Sequence, residues 1–147
     1  DALGDRPLDA LEADPVAVPA RAAEVREALC SACERTLDPV ATAERWSRDD
    51  PAARLACTEN WLTERLREAA ASADGSVELR AGTHLPARRM MLNIPALFAT
   101  LDLAREARRQ LEGPVNKSLV LERLLWQLQA ASVRVRESDR QQVARPE

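Results

Sequence analysis

Apolar residues recur along this chain at helical spacing, not in the strict alternation of a sheet. Ala22, Val25, Leu29, Cys33 and Leu37 fall three or four apart, on one face of a helix predicted over residues 19–36. Two further starts are written with one signal, Asp38-Pro39 and Asp50-Pro51, where the Asp caps free backbone N–H groups and the Pro fits a first turn. The first opens a short helix over residues 38–46. The second opens a longer one over 50–73, with Leu55, Thr58, Leu62, Leu66 and Ala69 along one side, Trp61 flanking them and Asp74-Gly75 as the stop. Asn93 is expected to cap a helix over 93–112. Its predicted inner face is Leu97, Phe98, Leu101, Ala104 and Leu111, with Arg105, Arg109 and Glu112 outward, and Gly113-Pro114 ends it.

Between these, Val77-Glu78-Leu79 has the composition of a strand, but an isolated strand leaves its backbone groups unsatisfied and nothing else offers an evident partner. Residues 74–87 are therefore read as loop. The fold class is all-α, a helical bundle of about five to six helices.

The last helix starts after Asn116 and is crowded. Leu119, Val120, Leu121, Leu124, Leu125, Trp126 and Leu128 exceed what one buried stripe about 100° wide accommodates. It must be covered on more than one side, by its own domain or by another chain. Residues 1–18 read as a brief helix around 7–13 and a linker from a preceding domain, 19–130 as the helical domain, and 131–147 as a disordered polar tail. A chain that opens on Asp1 is expected to be a fragment of a longer or processed protein, and no secretory signal is recognisable.

Charge narrows the function classes. With 21 basic and 24 acidic residues the net charge is −3, whereas a nucleic-acid reader carries a basic excess on one face. Nearly all the positive charge is Arg, Lys117 being the single lysine, as codon bias in a GC-rich genome would produce. Three cysteines make no even disulfide set, which points to a reducing cytoplasm, and the longest apolar runs fall far short of the ~18 residues of a membrane span. The expected location is cytoplasmic, with no membrane association.

Candidate chemistry is sparse. Cys30, Cys33, Cys57 and His84 could in principle make a tetrahedral zinc set, but the close pair lies mid-helix instead of on a turn and no second pair exists. Buried packing residues are the favoured reading, and metal co-purifying with the protein would reverse it. His84 is placed in an exposed loop with no nucleophile or orienting acid indicated. Asp50 is read as a cap and Asp49 as solvated. Arg88, Arg89, Arg105, Arg108 and Arg109 form a basic cluster that reads as a solvated face beside Glu106 and Glu112. The four glycines are scattered, so there is no phosphate loop. Trp46, Trp61 and Trp126 look like packing residues. No catalytic, cofactor-binding or metal-binding residue is assigned.

Two segments resemble a known family. Leu97-Phe98-x-x-Leu101-x-x-x-x-Glu106-Ala107-Arg108-Arg109-x-Leu111 followed by Pro114-Val115-Asn116-x-x-Leu119-x-Leu121-Glu122-x-Leu124-Leu125 resembles the end of the delta-prime subunit of the bacterial DNA polymerase III clamp loader. Asp38-Pro39-Val40-x-x-Ala43-Glu44-x-Trp46 and Trp61-Leu62-x-x-x-Leu66-Arg67 are similar to the middle of the same domain, and Gly4-x-x-Pro7-Leu8-x-Ala10-Leu11 to a short motif ahead of it. The resemblance spans residues 4–129.

It implies the third domain of a three-domain subunit whose first two domains form an AAA+-like module without ATP hydrolysis. That third domain packs with counterparts from the gamma/tau and delta subunits in a hetero-pentameric collar. On this basis the fragment is not an enzyme, its contact with DNA is only indirect, and the parent assembly is a DNA polymerase holoenzyme. Asn116, Leu119, Val120 and Trp126 are the expected interface residues. The alternatives are the collar domain of delta or gamma/tau, or an unrelated helical DNA-associated regulator using Arg88, Arg89, Arg105 and Arg109.

Overall fold

The computed structural model describes residues 17–72, 76–79, 88–91 and 94–143, with side chains over 18–72, at 77 and over 94–131. Within them the chain is an all-helical bundle, as expected, carrying one short hairpin. The five described helices are α1 (Ala17–Cys33), α2 (Pro39–Arg48), α3 (Pro51–Ala71), α4 (Ile94–Leu111) and α5 (Lys117–Val143). The predicted helix around 7–13, the Asn93 cap and His84 lie outside the described residues.

The two Asp-Pro starts behave as their chemistry requires. Asp38 accepts from the backbone N–H of Val40 (3.0 Å) and Ala41 (3.2 Å) at the head of α2. Asp50 accepts from Ala53 N–H at 3.2 Å at the head of α3. Asn116 does the same for α5, its Oδ1 accepting from Leu119 N–H at 3.3 Å.

α1 ends earlier than its apolar stripe predicts. Thr36 N–H donates to Ser31 O (2.9 Å) and Arg35 N–H to Ala32 O (3.1 Å), while Arg35 sits at φ 62°. That double closure around a left-handed residue stops a helix. With Arg in place of Gly at that position, the sequence carries no stop signal.

The loop expected over 74–87 is corrected. Ser76–Leu79 (β1) pairs antiparallel with Arg88–Met91 (β2), Val77 opposite Met90. The partner strand that satisfies the β1 backbone comes from Arg-Arg-Met-Met, which has neither β-branched residues nor alternation to announce it. β1 packs on α3, and Val77, 3% exposed, joins the core.

The core fills the space between α3 and α4 and between α5 and α1, α2 and α4. The predicted α3 stripe, Leu55, Thr58, Leu62, Leu66 and Ala69, is buried throughout, with Trp61 beside it. Thr58 is accommodated because its hydroxyl donates to Arg54 O at 2.9 Å. On α4, Leu97, Leu101 and Ala104 face inward as expected. Phe98 does not: it is 54% exposed, because it lies more than a quarter turn round from the centre of that stripe. α5 continues as helix to Val143, past the point where the polar tail was expected to begin. No helix among the described residues is long and apolar enough to cross a membrane.

Candidate interaction surface

α5 divides its apolar residues between two opposite faces. Leu121, Leu124, Leu125 and Leu128 are at most 2% exposed and pack inside the bundle. Leu119 and Trp126 are 61% and 50% exposed and stand seven residues apart, two helical turns along one outward face. Val115, just ahead of the helix, is also exposed. The Trp126 indole N–H donates to Glu122 Oε1 at 3.3 Å, which lays the ring along the helix surface.

The crowded pattern of the last helix is therefore half explained within the chain. α1, α2 and α4 cover its inner face, and no other described element covers its outer face. Of the expected interface residues, Leu119 and Trp126 are on the outer face. Asn116 is exposed and serves as the helix cap, and Val120 is partly buried against the core. Trp46 and Trp61 are packing residues, whereas Trp126 is half exposed among the described residues.

The other candidate chemistry resolves into structure. Cys30 and Cys33 are buried, Cys57 is half-buried, and none of the three is in a disulfide. Burial pushes the Cys30 and Cys57 thiols up, so both stay protonated at neutral pH. Cys57 borders a cleft of about 190 Å³ with Ala22, Arg26, Asn60, Trp61 and Glu64, below the size of a typical ligand pocket. Among the described residues no three His, Cys, Asp or Glu side chains converge on a point that could hold a metal.

The arginines of α4 are engaged with carboxylates. Arg109 meets Glu106 at 2.6 Å, Arg108 reaches Glu59 on α3 at 3.4 Å, and Arg105 lies 3.8 Å from Asp102. The side chains of Arg88 and Arg89 lie outside the described residues.

Asp49 is solvent-exposed, as expected, its side chain 60% accessible, and it also pairs with a buried cation. Arg54 is 3% exposed; its Nη2 lies 2.7 Å from Asp49 Oδ2 and its Nε donates to Asp49 O at 2.9 Å. Its Nη1 is 3.1 Å from Glu24 Oε2, near enough to pair but not aligned as a hydrogen bond. The guanidinium stands 5.7 Å from the Trp46 ring centroid. Arg45 to Glu24 (3.4 Å) and Arg21 to Asp50 (3.2 Å) complete a network across α1, α2 and α3. The one signal for it in the sequence is a charged residue directly before Leu55 at the start of the buried stripe.

Compared with protein-family models, curated proteins and solved structures, the chain matches none.

Proposed function

We propose that this chain is a non-catalytic oligomerisation domain that docks onto helical partner subunits through the outer face of α5. The supporting observation is the pair Leu119 and Trp126, both half or more exposed on a helix whose opposite face is fully used by the core. An exposed aromatic sharing a helix face with an exposed apolar residue is the composition of an interface anchor.

The setting proposed is the collar of a bacterial clamp loader, with this chain as the third domain of the delta-prime subunit and gamma/tau and delta as its partners. That part rests on the sequence resemblance, whose most distinctive stretch, Pro114 to Leu125, runs through the same exposed face. On α4 the three arginines of the basic cluster each lie beside a carboxylate, which lowers the net positive charge that this helix offers to phosphate.

The test is light scattering on a sizing column, with the chain alone and then mixed with the gamma and delta subunits of the same organism. A stoichiometric complex that Trp126→Ala weakens at least tenfold is the expected result. If the Trp126→Ala chain folds and binds as tightly as the parent, α5 is not the docking face. If neither subunit is bound even by a full-length delta-prime control, the clamp-loader setting fails.

A further inference from the structure

The outer face of α5 is complementary to itself. About a two-fold axis placed between Glu122 and Arg123, an antiparallel copy of the helix sets Leu119 against Trp126 and Glu122 against Arg123. Each facing pair joins a larger to a smaller apolar residue or an acid to a base. Leu119, Arg123 and Trp126 are all exposed and Glu122 partly so. The sign pattern is directional. A parallel in-register copy would set Glu122 on Glu122 and Arg123 on Arg123, which like charges disfavour.

We propose that, before it meets other subunits, the chain pairs with a second copy of itself through this antiparallel α5 contact. The proposal rests on reading the α5 outer face as an interface and adds what covers that face in the free chain. A two-fold contact is self-complementary by construction, and the sequence around 122–123 satisfies that condition with apolar and charged positions together. Arg123 also lies close enough to the Glu106 carboxylate on α4 to stabilise its charge, but Glu106 is held by Arg109 at 2.6 Å, which leaves Arg123 able to meet a second acid.

The contact is one helix wide. It buries roughly half of the ~800 Å² per partner of a standard interface, so the pair is a micromolar, concentration-dependent dimer that partner subunits displace. That weakness suits a transient cover for Leu119 and Trp126.

Sedimentation velocity on the 147-residue chain, from low to high micromolar concentration, tests this. The parent chain should shift from monomer to dimer, and Glu122→Arg or Arg123→Glu alone should raise the dissociation constant at least tenfold. Mixing the two variants should restore a dimer, because each then supplies the charge that the other lacks. Circular dichroism of each variant confirms that the surface changes leave the fold intact. A parent chain that stays monomeric, or a dimer indifferent to both reversals, overturns the proposal.

Binding to the gamma and delta subunits is read separately. A monomeric chain that still enters their complex refutes self-pairing and leaves the docking reading standing. A chain that dimerises as described yet takes up neither subunit supports self-pairing and counts against the clamp-loader setting.

Discussion

The Gln129 side chain on α5 donates from Nε2 to the main-chain oxygen of Leu37 at 3.0 Å, bridging 92 positions of sequence. It fastens the last helix to the turn between α1 and α2, where Leu37 follows the left-handed Arg35. Gln129 is 7% exposed, so its amide has little access to water and depends on that acceptor. Gln129→Leu should cost about 1–2 kcal/mol, because it strands the Leu37 carbonyl in a partly buried turn. A lowered urea midpoint with an unchanged slope is the expected observation. An unchanged midpoint would mean that water reaches the turn.

Arg54 should be the most costly single charge to remove. Arg54→Ala strips the guanidinium from Trp46 and leaves the Asp49 carbonyl without its donor, for a loss of about 2–3 kcal/mol. Arg54→Met keeps the stem packing and should lose about half as much, by chemical denaturation.

The same pair sets an acid limit. The Arg54 hydrogen bond and charge hold the Asp49 carboxyl below its ordinary value near 3.8. Its folded pKa is depressed, so the stabilisation is in place above that ordinary value and fades as pH falls through the depressed one. Glu106, lowered by Arg109, acts in the same direction. Thermal melts between neutral pH and pH 2 should show stability falling below about pH 4. Asp49→Asn should make that fall shallower without removing it. Equal acid slopes for the two proteins would show that Asp49 is unpaired in solution.

Arg35 occupies a left-handed position that an L side chain enters at a cost of roughly 1–2 kcal/mol. Glycine removes that cost but gains freedom in the unfolded chain, so Arg35→Gly should stabilise by a net 0.5–1 kcal/mol or about that. A raised melting temperature is the observation expected, and a lowered one would mean that the Arg35 side chain makes a compensating contact.

Much of this fold is legible in the sequence because its signals are local. Asp38-Pro39 and Asp50-Pro51 begin helices where capping chemistry says they must, and the Leu55-to-Ala69 stripe is buried as its spacing requires. The signals that fail are tertiary. Arg35 ends α1 by conformation and not by residue type, and β1 finds its partner in Arg88–Met91 only once the chain has turned back. Phe98 shows that a large aromatic next to a stripe need not belong to it. The candidate face is partly legible: crowding on the last helix points to a second cover, but separating exposed Leu119 and Trp126 from inward Leu125 requires the neighbours of α5.

Thiol labelling distinguishes the three cysteines. In the native protein one equivalent should react slowly with a disulfide reagent, at half-buried Cys57, whose thiol is held protonated by burial. Cys30 and Cys33, 2% and 0% exposed, should react only on unfolding, and Cys57→Ser should abolish the native signal. Rapid reaction of Cys30 or Cys33 would show that α1 opens from the bundle far more often than its burial implies.

The two faces of α5 should separate stability from association. Leu125 is fully buried, so Leu125→Ala removes packed methyl groups and leaves a cavity, at about 2–5 kcal/mol. Leu119 is 61% exposed, and Leu119→Ala should change stability by no more than about 0.5 kcal/mol while weakening whatever docks on the outer face. Denaturation midpoints and binding measured on the same two variants give four numbers whose pattern is diagnostic. If Leu119→Ala destabilised the isolated chain as much as Leu125→Ala, the outer face would belong to this domain's own core and could not be what partners contact.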